Sequence, residues 1–136
     1  MKRNELKRMA DWKLKEIKLM HENGFFDSAV SNSGYVVEFG LKAAICKKIK
    51  KDYPEHELRY KKHNPDQLVN LAGLKKELKE EKKNVNFMVN WSLISSWSVN
   101  FRYKPIGTNS KEKSEEYINA LDAEDGGVYT WVKKVW

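Results

Sequence analysis

Apolar residues recur at helical spacing along nearly the whole chain, and only three prolines interrupt them. The pattern predicts a first helix over Asn4–Asn23, with Leu6, Met9, Ile17 and Met20 in one stripe and Trp12 and Leu14 beside it. Gly24 suits the left-handed position that closes a helix. A second helix is predicted from Phe26 to Tyr53, with Phe26, Val30, Val37, Leu41, Ala44 and Ile45 or Cys46 facing inward. Small residues on it, Ser33, Gly34 and Gly40, allow another helix to come close. Lys47, Lys48, Lys50 and Lys51 load its C-terminal end, where the helix dipole favours cations, and Pro54 stops it.

After a polar connection from Glu55 to His63, Asn64-Pro65-Asp66-Gln67 reads as a helix start. Asn64 can cap, Pro65 fits the first turn, and Gln67 can complete a capping box. The third helix is predicted to run to Lys82, with Leu68, Leu71, Ala72, Leu74 and Leu78 inward and a solvated tail of mixed charge. A fourth is predicted over Val85–Tyr103, where Phe87, Trp91, Ile94, Trp97 or Ser98, and Phe101 keep helical phase. Pro105 to Asn109 reads as a loop. A fifth starts near Ser110, with Asn109 and Glu112 as a capping pair, and Tyr117, Leu121, Val128, Val132 and Val135 in phase. Gly126-Gly127 should break or split it. The expected fold is all-α: one domain over residues 1–136, an up-and-down bundle of about five helices with the long ones antiparallel.

Composition narrows the chemistry. A chain of 136 residues supports one core. Net charge is +7, which permits an anionic partner, but 22 of the 26 basic residues are Lys, and dispersed Lys mostly makes a solvated surface. Cys46 is the only cysteine, so no internal disulfide forms, and its place beside Ile45 on a helix predicts packing. No apolar signal core and no apolar run of ~20 residues occurs, so a soluble cytoplasmic protein without a membrane segment is expected. Without a Gly-rich phosphate loop, Cys/His metal spacing or a nucleophile motif, neither a metal nor a cofactor is expected.

Two charges sit within or beside apolar stripes and call for partners: Glu38 and Arg102. A fixed guanidinium at Arg102 can hold a phosphate or pair with Glu38. Of the three histidines, His21 and His56 read as surface residues, whereas His63 immediately precedes a helix start, where anions bind. Among five tryptophans, Trp91, Trp97 and Trp131 are expected in the core. Trp136 is left open between core and an exposed interface or base-stacking role.

Four segments in order resemble the HEPN domain family over about residues 1 to 136. They are the first helix followed by Gly24-Phe25-Phe26-Asp27-Ser28-Ala29; Glu38 and Lys42 in Val37-Glu38-Phe39-Gly40-Leu41-Lys42-Ala43; His63-Asn64 leading into Leu68 and Leu71; and Arg102-Tyr103 before a Trp-bearing final helix at Trp131. The resemblance implies a helical bundle that often dimerises. It also implies either a non-nuclease module or a metal-independent ribonuclease. The module would bind nucleotide or RNA phosphate and often pairs with a minimal nucleotidyltransferase in toxin–antitoxin or defence systems. The nuclease uses an Arg and a His four to six residues further on. Arg102 matches the Arg, but Gly107, Thr108 and Asn109 stand where His is expected, and no His follows His63. Arg102, Lys104 and His63 are therefore the candidate phosphate contacts, Arg102, His63 and Tyr103 the candidate catalytic groups, and Glu38 and Lys42 the structural motif. Helices two and four, through Ser33, Gly34 and Trp91, are the expected dimer face.

Overall fold

The computed structural model describes residues 1–136 and contains only helices, turns and loops. Seven α-helices are present: α1 (Arg3–Glu22), α2 (Phe26–Ile49), α3 (Pro65–Leu71), α4 (Lys75–Glu81), α5 (Val85–Ser95), α6 (Lys111–Asp122) and α7 (Val128–Val135). Short 3-10 turns lie at Leu58–Tyr60 and Val99–Tyr103. The all-α bundle is as expected, and the helix count rises from five to seven because two predicted helices divide.

α1 and α2 form an antiparallel hairpin around Gly24, whose φ of +82° is the left-handed turn the sequence called for. α2 is the central helix. Its buried residues, from Ala29 to Cys46, cover almost its whole circumference because α1, α3, α6, α7 and the Val99–Tyr103 turn all pack on it. Gly40 receives Val132 of α7, as a small residue at a helix crossing allows. The helix ends at Ile49, with Lys50 left-handed, rather than at Tyr53. Tyr53 turns inward instead and donates its hydroxyl to the Tyr60 carbonyl at 2.6 Å.

The predicted third helix splits at Gly73, whose φ of +69° cannot continue a helix. Asn64 caps α3 as expected, accepting from the Asp66 and Gln67 amides. The predicted fourth helix stops at Ser95. Ser96 turns its hydroxyl onto the Leu93 carbonyl and Ser98 accepts from the Asn100 amide, so the chain tightens into the 3-10 turn that carries Arg102. α6 is capped by Ser110, not by Asn109. The break before α7 falls at the glycines, as predicted.

The core is a continuous cluster in which Trp91 and Trp131 meet edge to face, ring centroids 6.0 Å apart, with Phe87 beside both. Trp97 and Cys46 are buried, and Trp136 is partly buried against Tyr129. Trp12 stands exposed on α1. Ser33 and Trp91 are buried inside the single chain, and Gly34 is covered by Trp97. The three residues expected at a dimer face are thus packed inside the single chain, whereas Val85, Met88 and Val89 on the same predicted fourth helix are exposed. No helix is long and apolar enough to cross a membrane.

Candidate functional site

One flank of α2 organises the region. Asp27, Ser31, Gly34, Glu38 and Lys42 follow one another at three- or four-residue spacing, which places them in a row along the helix. Between them they hold three parts of the chain that return to α2: the loop at Gly107 and Asn109, Trp97, and His63.

At the N-terminal end of this row, the Asp27 carboxylate accepts from the Gly107 amide at 2.6 Å, the Asn109 amide at 2.8 Å and the Asn109 side chain at 3.0 Å. The Gly107 and Asn109 backbone N–H groups, in that order, hold the Asp27 carboxyl below its ordinary value. A carboxyl depressed in the folded state contributes stability above its unfolded value, about 3.9, and loses it as pH falls through the lowered folded value. Acidification should therefore release this loop in a window below that value. Asp27→Ala is expected to cost about 1–2 kcal/mol by leaving these donors without their acceptor. Urea unfolding measures that cost, and faster tryptic cleavage after Arg102, which is exposed beside the loop, would report its release. An acid at the start of a helix looks like an ordinary dipole partner, so nothing in the sequence marked Asp27 as the anchor of a loop 80 residues away.

In the middle of the row, the Trp97 ring lies directly over Gly34, and its indole N–H donates to the Ser31 carbonyl at 3.2 Å. Tyr35 meets Trp97 edge on at 4.9 Å, and Trp97 meets Phe101 at 6.5 Å. This aromatic cluster seats the Val99–Tyr103 turn on α2.

Further along, Glu38 is 3 % exposed and is the only charged residue among the fully buried ones. Its carboxylate accepts from His63 Nδ1 at 2.7 Å and Lys42 Nζ at 3.3 Å. A carboxylate accepts, so Nδ1 donates here, and Nε2 makes no hydrogen bond within the chain. The His63 side chain is 55 % exposed and lines a hollow of about 520 Å³ with Lys61, Lys62, Gln67, Ser96 and Trp97. Lys42 Nζ also lies 5.1 Å from the Tyr53 ring centre.

Of the two roles open to Arg102, the pair with Glu38 is not formed. Glu38 is satisfied by His63 and Lys42, and Arg102 lies on the exposed side of the 3-10 turn. Its guanidinium sits 5.0 Å from the Tyr103 ring centre. The Tyr103 side chain first, and then Tyr35, push the Arg102 guanidinium above its ordinary value, so it stays charged. Arg102 and Lys104 border a second, smaller hollow of about 270 Å³ with Asp27, Ser31, Phe101 and Asn109. Lys104 Nζ rests 4.3 Å from the Phe101 ring centre. The two hollows flank the same 3-10 turn, with His63 on one side and Arg102 on the other, rather than meeting in one pocket.

The α3 start does not add an anion site, because Asn64 already occupies the Asp66 and Gln67 amides. His21 is half-buried, with Nδ1 2.8 Å from the Ser114 hydroxyl, rather than free on the surface, and His56 is exposed. No three His, Cys, Asp or Glu side chains cluster as metal ligands would.

The arrangement offers an oriented imidazole, a free guanidinium and several amines around an aromatic-seated turn, which is chemistry suited to phosphate oxygens. Searches among curated proteins and among solved structures found no match. The family model for the HEPN domain matches residues 4–134, and with the all-helical bundle it places the chain in the HEPN family.

Proposed function

We propose that this HEPN protein is a binding module for the phosphate groups of a nucleotide or RNA, held along the Val99–Tyr103 turn. His63 with Lys61 and Lys62 serves one side, and Arg102 with Lys104 the other. The observation that carries this reading is the Glu38–His63 contact. A buried carboxylate holds the ring through Nδ1, beside a hollow that Lys61 and Lys62 also line. A rigid imidazole loses little freedom when it meets a ligand oxygen.

The same geometry supports binding over cleavage of the Arg–His type. At the position where the resemblance expects the histidine, Asn109 is tied to Asp27. The ribonuclease reading needs a proton acceptor, and His63 is the group that would supply it, with Arg102 stabilising charge on the phosphorane. A toxin–antitoxin or defence setting with a minimal nucleotidyltransferase partner is what the family resemblance implies, and co-purification of the two proteins tests it.

Fluorescence anisotropy with labelled single-stranded RNA, and competition by nucleotides, tests the main reading. His63→Ala and Arg102→Ala should each weaken binding by about 1.5–3 kcal/mol if both make charge-assisted bonds. Both should also flatten the salt dependence. Binding unchanged in both variants would remove the turn from the site. Cleavage in EDTA that disappears in His63→Ala would favour the nuclease instead.

A further inference from the structure

The hydrogen bonds of His63 set a condition on any phosphate that meets it. A phosphodiester oxygen accepts hydrogen bonds and has none to donate. His63 donates Nδ1–H to Glu38 at 2.7 Å, and Nε2 makes no hydrogen bond within the chain. A neutral imidazole carries one N–H. With that N–H committed to Glu38, Nε2 presents a lone pair, which a phosphate oxygen repels. The imidazolium has an N–H on both nitrogens, so it alone can hold Glu38 and a phosphate together.

We propose that His63 takes phosphate as the imidazolium, so that ligand binding at this turn draws one proton from solvent onto Nε2. The proposal rests on the phosphate-binding reading above. The groups around the ring leave His63 as the one that switches. On α2, Glu38 meets Nδ1, and Lys42 shares that carboxylate at 3.3 Å. Tyr53, beside Lys42, is kept un-ionised because burial pushes its hydroxyl far up. The α2–α3 connection brings Lys61 and Lys62 to the hollow. On α3, Asp66 accepts from Trp91 Nε1 at 3.1 Å, and the hollow meets the uncharged Asn64 and Gln67. The wall from Ser95 to Val99 has no titratable side chain. Histidine is the side chain whose ordinary titration falls between about pH 5 and 8, where lysines stay charged. Free imidazolium and Glu38 cancel in charge, and the added proton supplies the cation that the phosphate meets. A general base would need the opposite state. Binding through His63 therefore strengthens as pH falls, whereas cleavage through His63 as base would quicken as pH rises.

Fluorescence anisotropy of the full chain with a labelled oligouridylate lacking terminal phosphates tests this at fixed ionic strength. The diester charges of that probe stay constant, so a pH dependence belongs to the protein. Affinity should fall at least about tenfold between about pH 5.5 and 8.5. His63→Ala should remove most of that dependence, and His56→Ala, an exposed histidine outside the hollow, should keep it. The unmutated protein offers a second readout. Protons and ligand must affect each other equally, so saturating RNA should raise the NMR titration midpoint of His63 by the same factor. A flat pH profile with His63→Ala still weakening binding overturns the proposal and leaves the binding reading standing. A profile that persists in His63→Ala, or an unmoved His63 midpoint, overturns it as well. RNA that fails to bind even at the acid end overturns both.

Discussion

Gly34→Ala is expected to destabilise the protein by about 2–3 kcal/mol and to unseat the turn that carries Arg102. A Cβ at this position would fall 2.0 Å from Trp97 Cδ2 and 2.2 Å from Cε3, inside the indole ring. In an exposed helix interior, Gly→Ala gains about 1 kcal/mol of helix propensity. Here the clash opposes that gain, and the clash is larger because the ring has nowhere to go. Trp97 is 4 % exposed, bonded through its N–H to Ser31, and bounded by Tyr35 and Phe101. Overpacking of a filled site costs about 1–3 kcal/mol, occasionally more. Urea denaturation should show a lower midpoint, and the near-ultraviolet circular dichroism from Trp97 should change. Ser31→Ala, one turn earlier, keeps the carbonyl that Trp97 uses and should do neither. A Gly34→Ala variant as stable as the parent would mean that Trp97 does not sit on α2, and the two-sided geometry around the turn would fall with it.

Much of this arrangement was legible in the sequence wherever a local signal existed. Gly24 marked the α1–α2 turn, Asn64-Pro65 marked the start of α3, and Gly126-Gly127 marked the break before α7. The end of α5 was not legible, because Phe87, Trp91, Ile94 and Phe101 keep helical phase straight through it and no Pro or Gly intervenes before Pro105. The chain leaves the helix there because Ser96 and Ser98 satisfy backbone groups locally while Trp97 finds a slot over Gly34, 63 residues away. That slot is a tertiary fact with no local signature. The candidate site divides the same way. Glu38 stood out as a carboxylate within an apolar stripe, and its burial follows from that placement. Its partner did not, because a buried acid selects whichever cation the fold delivers. The fold delivers His63 from the α2–α3 connection and Lys42 from the next turn, while Arg102 is carried outward by the tightened turn.

Glu38→Ala is expected to be the most damaging change in the site itself, lowering stability by about 2–3 kcal/mol. Removing one partner of a fully buried ion pair costs about 3–5 kcal/mol, since the other is left charged and dry. Lys42 and His63 keep 16 % and 55 % of their side-chain surface, so both regain some water and the lower range applies. Glu38→Gln should cost less, because the amide oxygen still accepts one bond. The two variants share a second consequence that packing alone would not produce. With the carboxylate gone, nothing requires the His63 proton to stay on Nδ1, and the ring should sample both tautomers. Nitrogen-15 NMR of His63 reads this directly: the parent should show the Nδ1–H form below full protonation, and Glu38→Gln a mixture. A double-mutant cycle with His63→Ala should return a coupling of about 1–2 kcal/mol. A coupling near zero with an unmoved tautomer would make Glu38 a helix-internal partner of Lys42 alone. If the tautomer shifts, phosphate affinity should fall in Glu38→Gln even though Glu38 lies too deep to meet a ligand. That loss would identify the buried carboxylate as the residue that aims the imidazole.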